Sequence, residues 1–194
     1  MTVTTNERPR IEEPPGGLLV WLIVGLEVIT FGVGLAVFAA ESTAQAAVFR
    51  RGREELNQGI ALANTLILLT GGWCMANSIA RLRGGEVRAA GRWIVGAMVS
   101  AAFFLGLKSC EYADKIGHGH GLHADSFYTL YWLLTGFHFL HVAAALVILG
   151  LMARGIRRGD YTAAHHEDVA GSGVFWHLCD LIWLLLYPII YLLR

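Results

Sequence analysis

Between Thr129 and Arg154 the chain reads TLYWLLTGFHFLHVAAALVILGLMAR, a bilayer's worth of apolar residues closed by a basic group. About 20 apolar residues, each rising about 1.5 Å, cross a hydrocarbon core of about 30 Å, so this stretch is a membrane span. Two histidines sit at its centre. His138 and His141 stand at i and i+3 and therefore share one helix face. Ionisable side chains at that depth are costly and turn toward other helices rather than lipid. Some other span has to bring polar groups to that face, and the last apolar stretch carries Trp176, His177, Asp180 and Trp183.

Composition agrees with a membrane protein. Of 194 residues 55% are hydrophobic and 15% charged, against about 25% charged in a soluble domain. Such a chain has too little charge to cover a globular surface. The formal net charge is zero, so no overall positive field points to nucleic acid. The three cysteines, Cys74, Cys110 and Cys179, are odd in number and form no CxxC motif. They read as buried or membrane-embedded small residues.

Taken in order, residues 1–17 form a polar arm ending in Pro14-Pro15-Gly16-Gly17, without the cleavage pattern of a signal peptide. Five spans follow, at about residues 18–40, 59–79, 93–111, 129–154 and 174–193. The connections are polar: 41–58 with Arg50, Arg51 and Arg53, a basic turn at 81–92, a Gly/His-rich loop at 112–126, and 155–171. The expected fold is therefore all-α, with residues 18–194 forming a single five-helix membrane bundle. No internal repeat supports an inverted-repeat transporter. Lys and Arg number nine on the side of the amino terminus and five on the other. This places the amino terminus in the cytoplasm and the Gly/His loop outside.

Counting depth from the start of each span puts His138, His141, His177 and Asp180 within about one helical turn of one another, in the cytoplasmic half. Asp180 is expected to pair with a histidine between the fourth and fifth spans. These residues would either hydrogen-bond the helices together or act in lipid head-group binding, proton exchange, or metal or haem ligation. Bulky Phe137, Phe139 and Leu140 crowd a haem slot, and the first three spans carry no histidine. Glu27, near mid-membrane with no evident basic partner at its depth, should be protonated or hydrogen-bonded and is a functional candidate. Lys108 and Glu111, again at i and i+3, read as a pair on one helix face near the outer interface, with the lysine free to snorkel. The outer His118, His120 and His123 read as members of a solvated loop or an adventitious metal site. No nucleophile–base pair or phosphate-binding glycine loop appears, which points to an accessory subunit without a catalytic centre.

Several stretches then resemble one family. Thr135-Gly136-Phe137-His138 with His141-Val142 resembles the TGxHxxHV signature of subunit III of the haem–copper oxidases. Trp176-His177, Asp180 and Trp183, followed by Tyr187 and Tyr191, are similar to that family's WHxxDxxW last span. Glu27-Val28 with Phe31 and Phe38 resembles the helix that bears the family's carbodiimide-reactive membrane acid. Asn64-Thr65 and Glu111-Tyr112 match further positions, so the likeness covers about residues 17–194. The absence of two amino-terminal helices resembles the short five-span members. Among these, the Arg50-Arg51-x-Arg53 connection, Glu111–Ile116 and TGFHFLH look closest to the NorE type found beside nitric oxide reductases. Lys108 stands where long members have Gln, and Ala170 where they have Glu.

The resemblance implies an accessory subunit of a respiratory haem–copper oxidase or nitric oxide reductase, part of an oxidoreductase complex of the bacterial inner membrane. It implies packing against a catalytic subunit I that carries the haem and the copper or iron, with none in this chain. It also implies bound phospholipid and support of proton uptake, with Glu27 as the membrane acid and His138, His141, His177, Asp180 and Trp176 in the buried polar cluster. Two readings of other classes stand beside it: a b-type cytochrome anchor using these histidines for haem, and a stand-alone proton-linked transporter using Glu27.

Overall fold

A computed structural model describes residues 16–193. The expected amino-terminal arm, apart from Gly16 and Gly17, and Arg194 lie outside the described residues. Six α-helices follow one another: α1 Gly17–Ala44, α2 Ala46–Glu54, α3 Gln58–Arg83, α4 Val87–Gly117, α5 Ser126–Arg158 and α6 Glu167–Tyr187. A π-helical turn, Pro188–Leu192, continues α6. No strand occurs among the described residues, and five of the helices are long and apolar enough to cross a membrane.

The helix ends follow local chemistry. Asn57 and Asp125 cap α3 and α5 by accepting the backbone N–H of Ile60 and Tyr128 at 3.0 and 2.8 Å, as short polar side chains do at helix starts. The α3–α4 turn needs Gly85, whose φ of 79° is left-handed backbone that suits glycine.

Helices α1, α3, α4 and α5 outrun their apolar stretches at both ends, and α6 does so at its start. The basic turn expected at 81–92 contracts to Gly84–Glu86, and α4 continues through Tyr112 to Gly117, which shortens the Gly/His loop. The connection expected at 41–58 contains a whole helix, α2. Apolar runs mark only the part of a helix inside the hydrocarbon, while backbone hydrogen bonding continues into the head-group zone.

Helices α3 to α6 form a four-membered ring in which α3 packs on α4 and α6, and α5 on α4 and α6. The α3–α6 approach is close because Gly71 and Gly72 face Trp176 and Asp180, where a Cβ would overlap the opposing side chains. Helix α1 lies outside the ring against α5 and α6, burying only Phe31, Leu35 and Phe38. At the end of the bundle that holds α2, Phe38, Phe49 and Phe127 join α1, α2 and α5, with ring centroids 5.1 to 6.0 Å apart. Gly52 makes room for the Phe127 ring. Cys74 and Cys179 are buried and Cys110 is exposed, all as free thiols.

Candidate functional site

The mid-membrane acid has a partner. Helix α1 carries Glu27 about 15 Å from Gly17, and α5 brings His141 Nε2 to 3.2 Å from Glu27 Oε2. Rings of Phe31, Phe137 and Phe175 stand 4.6 to 6.2 Å from the imidazole. His141 Nδ1 lies 2.8 Å from Phe137 O. A carbonyl can only accept, so Nδ1 carries a proton. In a neutral ring the Nε2 lone pair would then face the carboxylate. The contact is off the line of a hydrogen bond, leaving Oε2 without a donor among the described residues. The expectation of an acid lacking a basic partner is thus corrected. Depth counted from the apolar edge of each span misplaced the two residues relative to each other, because the helices extend past those edges.

His138, three residues earlier, looks elsewhere. It is fully buried, stacked on Trp183 at 5.2 Å and edge-on to Phe104 at 5.7 Å. Neither of its ring nitrogens has a hydrogen-bond partner among the described residues.

The expected Asp180–histidine contact between α5 and α6 does not form. Asp180 Oδ2 instead lies 3.3 Å from Nδ1 of His177, one turn earlier on the same helix. Helix α6 is turned so that Asp180 enters the ring beside Gly72, whereas the His177 side chain is 47% exposed on the outer face. Trp176 is buried against Gly71, and neither its indole N–H nor Asp180 Oδ1 has a hydrogen-bond partner among the described residues. The six candidates therefore separate into an α1–α5 pair, a single buried imidazole, and an α6 group on Gly71 and Gly72.

The densest polar constellation is one that sequence reasoning undervalued. Lys108 of α4 is 0% exposed, so it does not snorkel. Its Nζ lies 3.1 Å from Glu111 Oε2 and donates to the hydroxyls of Tyr131 and Tyr191 at 3.1 and 2.6 Å. Both tyrosines in turn donate to Glu111 Oε1, at 2.7 and 2.8 Å. The result is a closed ring of charge and hydrogen bonds uniting α4, α5 and the π turn, the condition under which a buried ion pair is tolerated. A span containing both Lys and Glu, with tyrosines on two other spans, was the available signal. The pairing was legible and its enclosure was not.

The Gly/His loop between α4 and α5 is tied down. His120 stacks on Tyr128 at 4.5 Å, and Glu55 Oε2 receives the Tyr128 hydroxyl at 2.7 Å and lies 3.1 Å from His120 Nε2. His118 sits against Asp114, with Nδ1 2.8 Å from the Asp114 carbonyl.

Residues 50–194 match the family model described as cytochrome c oxidase subunit III. The cytochrome c oxidase subunit 3 of Thermostichus vulcanus is 33% identical over 140 residues, covering 72% of this chain and 68% of the relative. A probable cytochrome c oxidase subunit 3 of Mycobacterium leprae is 28% identical over 178 residues, 92% of this chain and 87% of the relative. A match of that length necessarily includes α1 and Glu27. That of the fungus Allomyces macrogynus is 34% identical over 142 residues, 72% of this chain and 50% of the relative. With three quarters of its length inside the family model and its five membrane-length helices in place, the chain belongs to the cytochrome c oxidase subunit III family.

Proposed function

We propose that this chain is an accessory, non-catalytic subunit of a respiratory haem–copper oxidase or nitric oxide reductase. It packs against the subunit that carries haem and copper or iron, and supports proton uptake and the durability of the complex. Its place is the bacterial inner membrane, with the amino terminus in the cytoplasm. Family membership supports the accessory role. The observation that supports the proton part is the Glu27–His141 pair, which brings a carboxyl and an imidazole to 3.2 Å between α1 and α5. A groove of about 330 Å³ between α1 and α5, lined by Thr30, Phe31, Gly34, Leu133, Leu134 and Phe137, opens beside it. Its apolar walls suit a phospholipid acyl chain, which would shield the pair from water.

The test is a mild-detergent purification of the tagged chain from its native membrane, with a reduced-minus-oxidised spectrum and a subunit gel. Haem in the complex that leaves when the chain is stripped to a single band is the expected result, and the co-purifying subunit identifies an oxygen or nitric oxide reductase. Haem retained by the single band would reject the reading in favour of a b-type cytochrome anchor. Glu27→Gln should leave the complex assembled while lowering sustained turnover. Unchanged turnover would remove Glu27 from the proton role.

A further inference from the structure

Three of the chain's six tyrosines stand in a row, and each donates its phenolic O–H to a carboxylate. The row starts at Trp183 of α6, whose ring centroid lies 6.3 Å from that of Tyr191 in the π turn. Tyr131 of α5 follows at 6.4 Å, and Tyr128, one turn earlier on α5, at 6.1 Å. His120 of the α4–α5 loop stacks on Tyr128 at 4.5 Å and ends the row. Trp183, Tyr191, Tyr131 and Tyr128 are at most 1% exposed. Their spacings fall within the range of about 4.5–7 Å found for interacting aromatic rings.

The hydroxyls are placed for more than packing. Tyr131 and Tyr191 both donate to Glu111 Oε1, and Tyr128 donates to Glu55 Oε2 at 2.7 Å. These are the only tyrosine-to-carboxylate hydrogen bonds among the described residues; Tyr112, by contrast, donates to the hydroxyl of Thr135. Lys108 Nζ donates to the oxygens of Tyr131 and Tyr191. Each of these two phenols therefore has a base for its proton and a separate donor for the oxygen left behind. The ring around Lys108 accounts for two of the hydroxyls as partners of an ion pair, but not for a third that continues the row on another acid. A phenol that loses one electron becomes a far stronger acid. A carboxylate at hydrogen-bond distance then lets electron and proton leave together.

We propose that Trp183, Tyr191, Tyr131 and Tyr128 carry an oxidising equivalent, by one-electron steps, from the middle of the bundle to the α4–α5 loop. The oxidant is a one-electron acceptor of high potential, such as an oxygen-derived radical, and it takes an electron from Trp183. Tyr191 refills Trp183 and passes its proton to Glu111, leaving a neutral tyrosyl radical and a carboxylic acid. Tyr131 then reduces the Tyr191 radical; Tyr191 recovers a proton from Glu111 as Tyr131 yields its own to the same oxygen. Tyr128 reduces the Tyr131 radical in turn, Tyr131 regains its proton from Glu111, and the Tyr128 proton goes to Glu55. One electron has then left the protein, Glu111 is ionised again, and Tyr128 holds the radical beside a protonated Glu55. A reductant in water, such as ascorbate, supplies the electron that restores Tyr128, with the proton returning from Glu55. Charge sets the direction. A radical held at Glu111 leaves buried Lys108 without its counter-charge, whereas the Glu55 side chain is 35% exposed and its proton meets water. The row does not depend on the accessory-subunit reading, and its failure would leave that reading as it stands.

The test uses the full chain with Cys110→Ser and Leu184→Cys, an exposed position beside Trp183, carrying a ruthenium(II) polypyridyl on the new thiol. A flash with persulfate as electron acceptor converts the label to a ruthenium(III) oxidant. Rapid-freeze electron paramagnetic resonance then reads the radicals. The expected signal is a neutral tyrosyl radical that forms more slowly in heavy water and is removed by ascorbate. Tyr128→Phe, Tyr131→Phe and Tyr191→Phe combined should abolish it, leaving a tryptophan radical. Tyr112→Phe, Tyr161→Phe and Tyr187→Phe combined should retain it. Tyr128→Phe alone should keep the signal and slow its removal by ascorbate. The proposal is overturned if the first triple variant keeps the signal or the second loses it. It is also overturned if formation is equally fast in heavy water, or if Tyr128→Phe leaves removal by ascorbate unchanged. The heavy-water comparison and the second triple variant decide the matter even where the first triple variant fails to fold.

Discussion

Two buried groups, Lys108 and His138, make opposite predictions although both are cationic types at full burial. Lys108 has three partners, so Lys108→Ala strands Glu111 in the ring without its counter-charge and should destabilise by about 3–5 kcal/mol. Lys108→Gln can still donate to one tyrosine and to Glu111 and should cost less than half as much. Thermal unfolding in one detergent compares them, and equal losses would mean that charge neutralisation is not what Lys108 provides. His138 has no hydrogen-bond partner among the described residues, so His138→Phe should be neutral or stabilising by about 1 kcal/mol. His141→Phe, which leaves Glu27 alone among aromatic rings, should destabilise. A loss on His138→Phe as large as that on His141→Phe would show that both imidazoles are bonded. At this scale the sequence identified residues better than their partners. Lys108 and Glu111 lie one turn apart and could be paired by spacing. Glu27 meets His141, and Lys108 meets Tyr191, only through the packing of helices distant in the chain, which no local spacing encodes.

Among the elements, the five spans were legible because apolar length is a direct requirement of crossing a bilayer. Helix α2 was not. Its nine residues carry three arginines and two buried positions, Phe49 and Gly52, and its helicity is settled by what Phe49 docks against on α1 and α5. The glycine pair of α3, Gly71 and Gly72, permits close contact at a specific place. Gly72→Val should drive the α6 backbone away from α3, because its side chain would collide with Asp180. A cost of about 1–3 kcal/mol is expected for such overpacking, seen as a melting shift of about 2–12 °C for a chain of this size. The same substitution at Gly106, which has open space around it, should have little effect on melting. If both variants melt alike, the close approach of α3 and α6 is not what sets the position of Asp180.

For the whole molecule, the orientation proposed from the charge bias can be tested directly. In a background with Cys110 replaced by serine, His123→Cys should react with a membrane-impermeant maleimide added to intact spheroplasts. Asp160→Cys should react only after the membrane is opened. The reverse pattern would invert the topology. The larger arrangement, a tight ring of α3 to α6 with α1 leaning on its outside, has a consequence for how the chain is made. Helix α1 emerges from the ribosome before α2 to α6, and its principal packing partners α5 and α6 follow the other four. At about 5–20 residues per second, Glu27 is synthesised roughly 6–23 s before His141 exists. During that interval an unpaired acid sits in a helix with nothing to lean on. Whether it waits in the translocon, in lipid or beside another protein, the newborn chain passes through a stage in which α1 has yet to be claimed. The order of synthesis therefore makes α1 the part of the bundle most exposed to quality control.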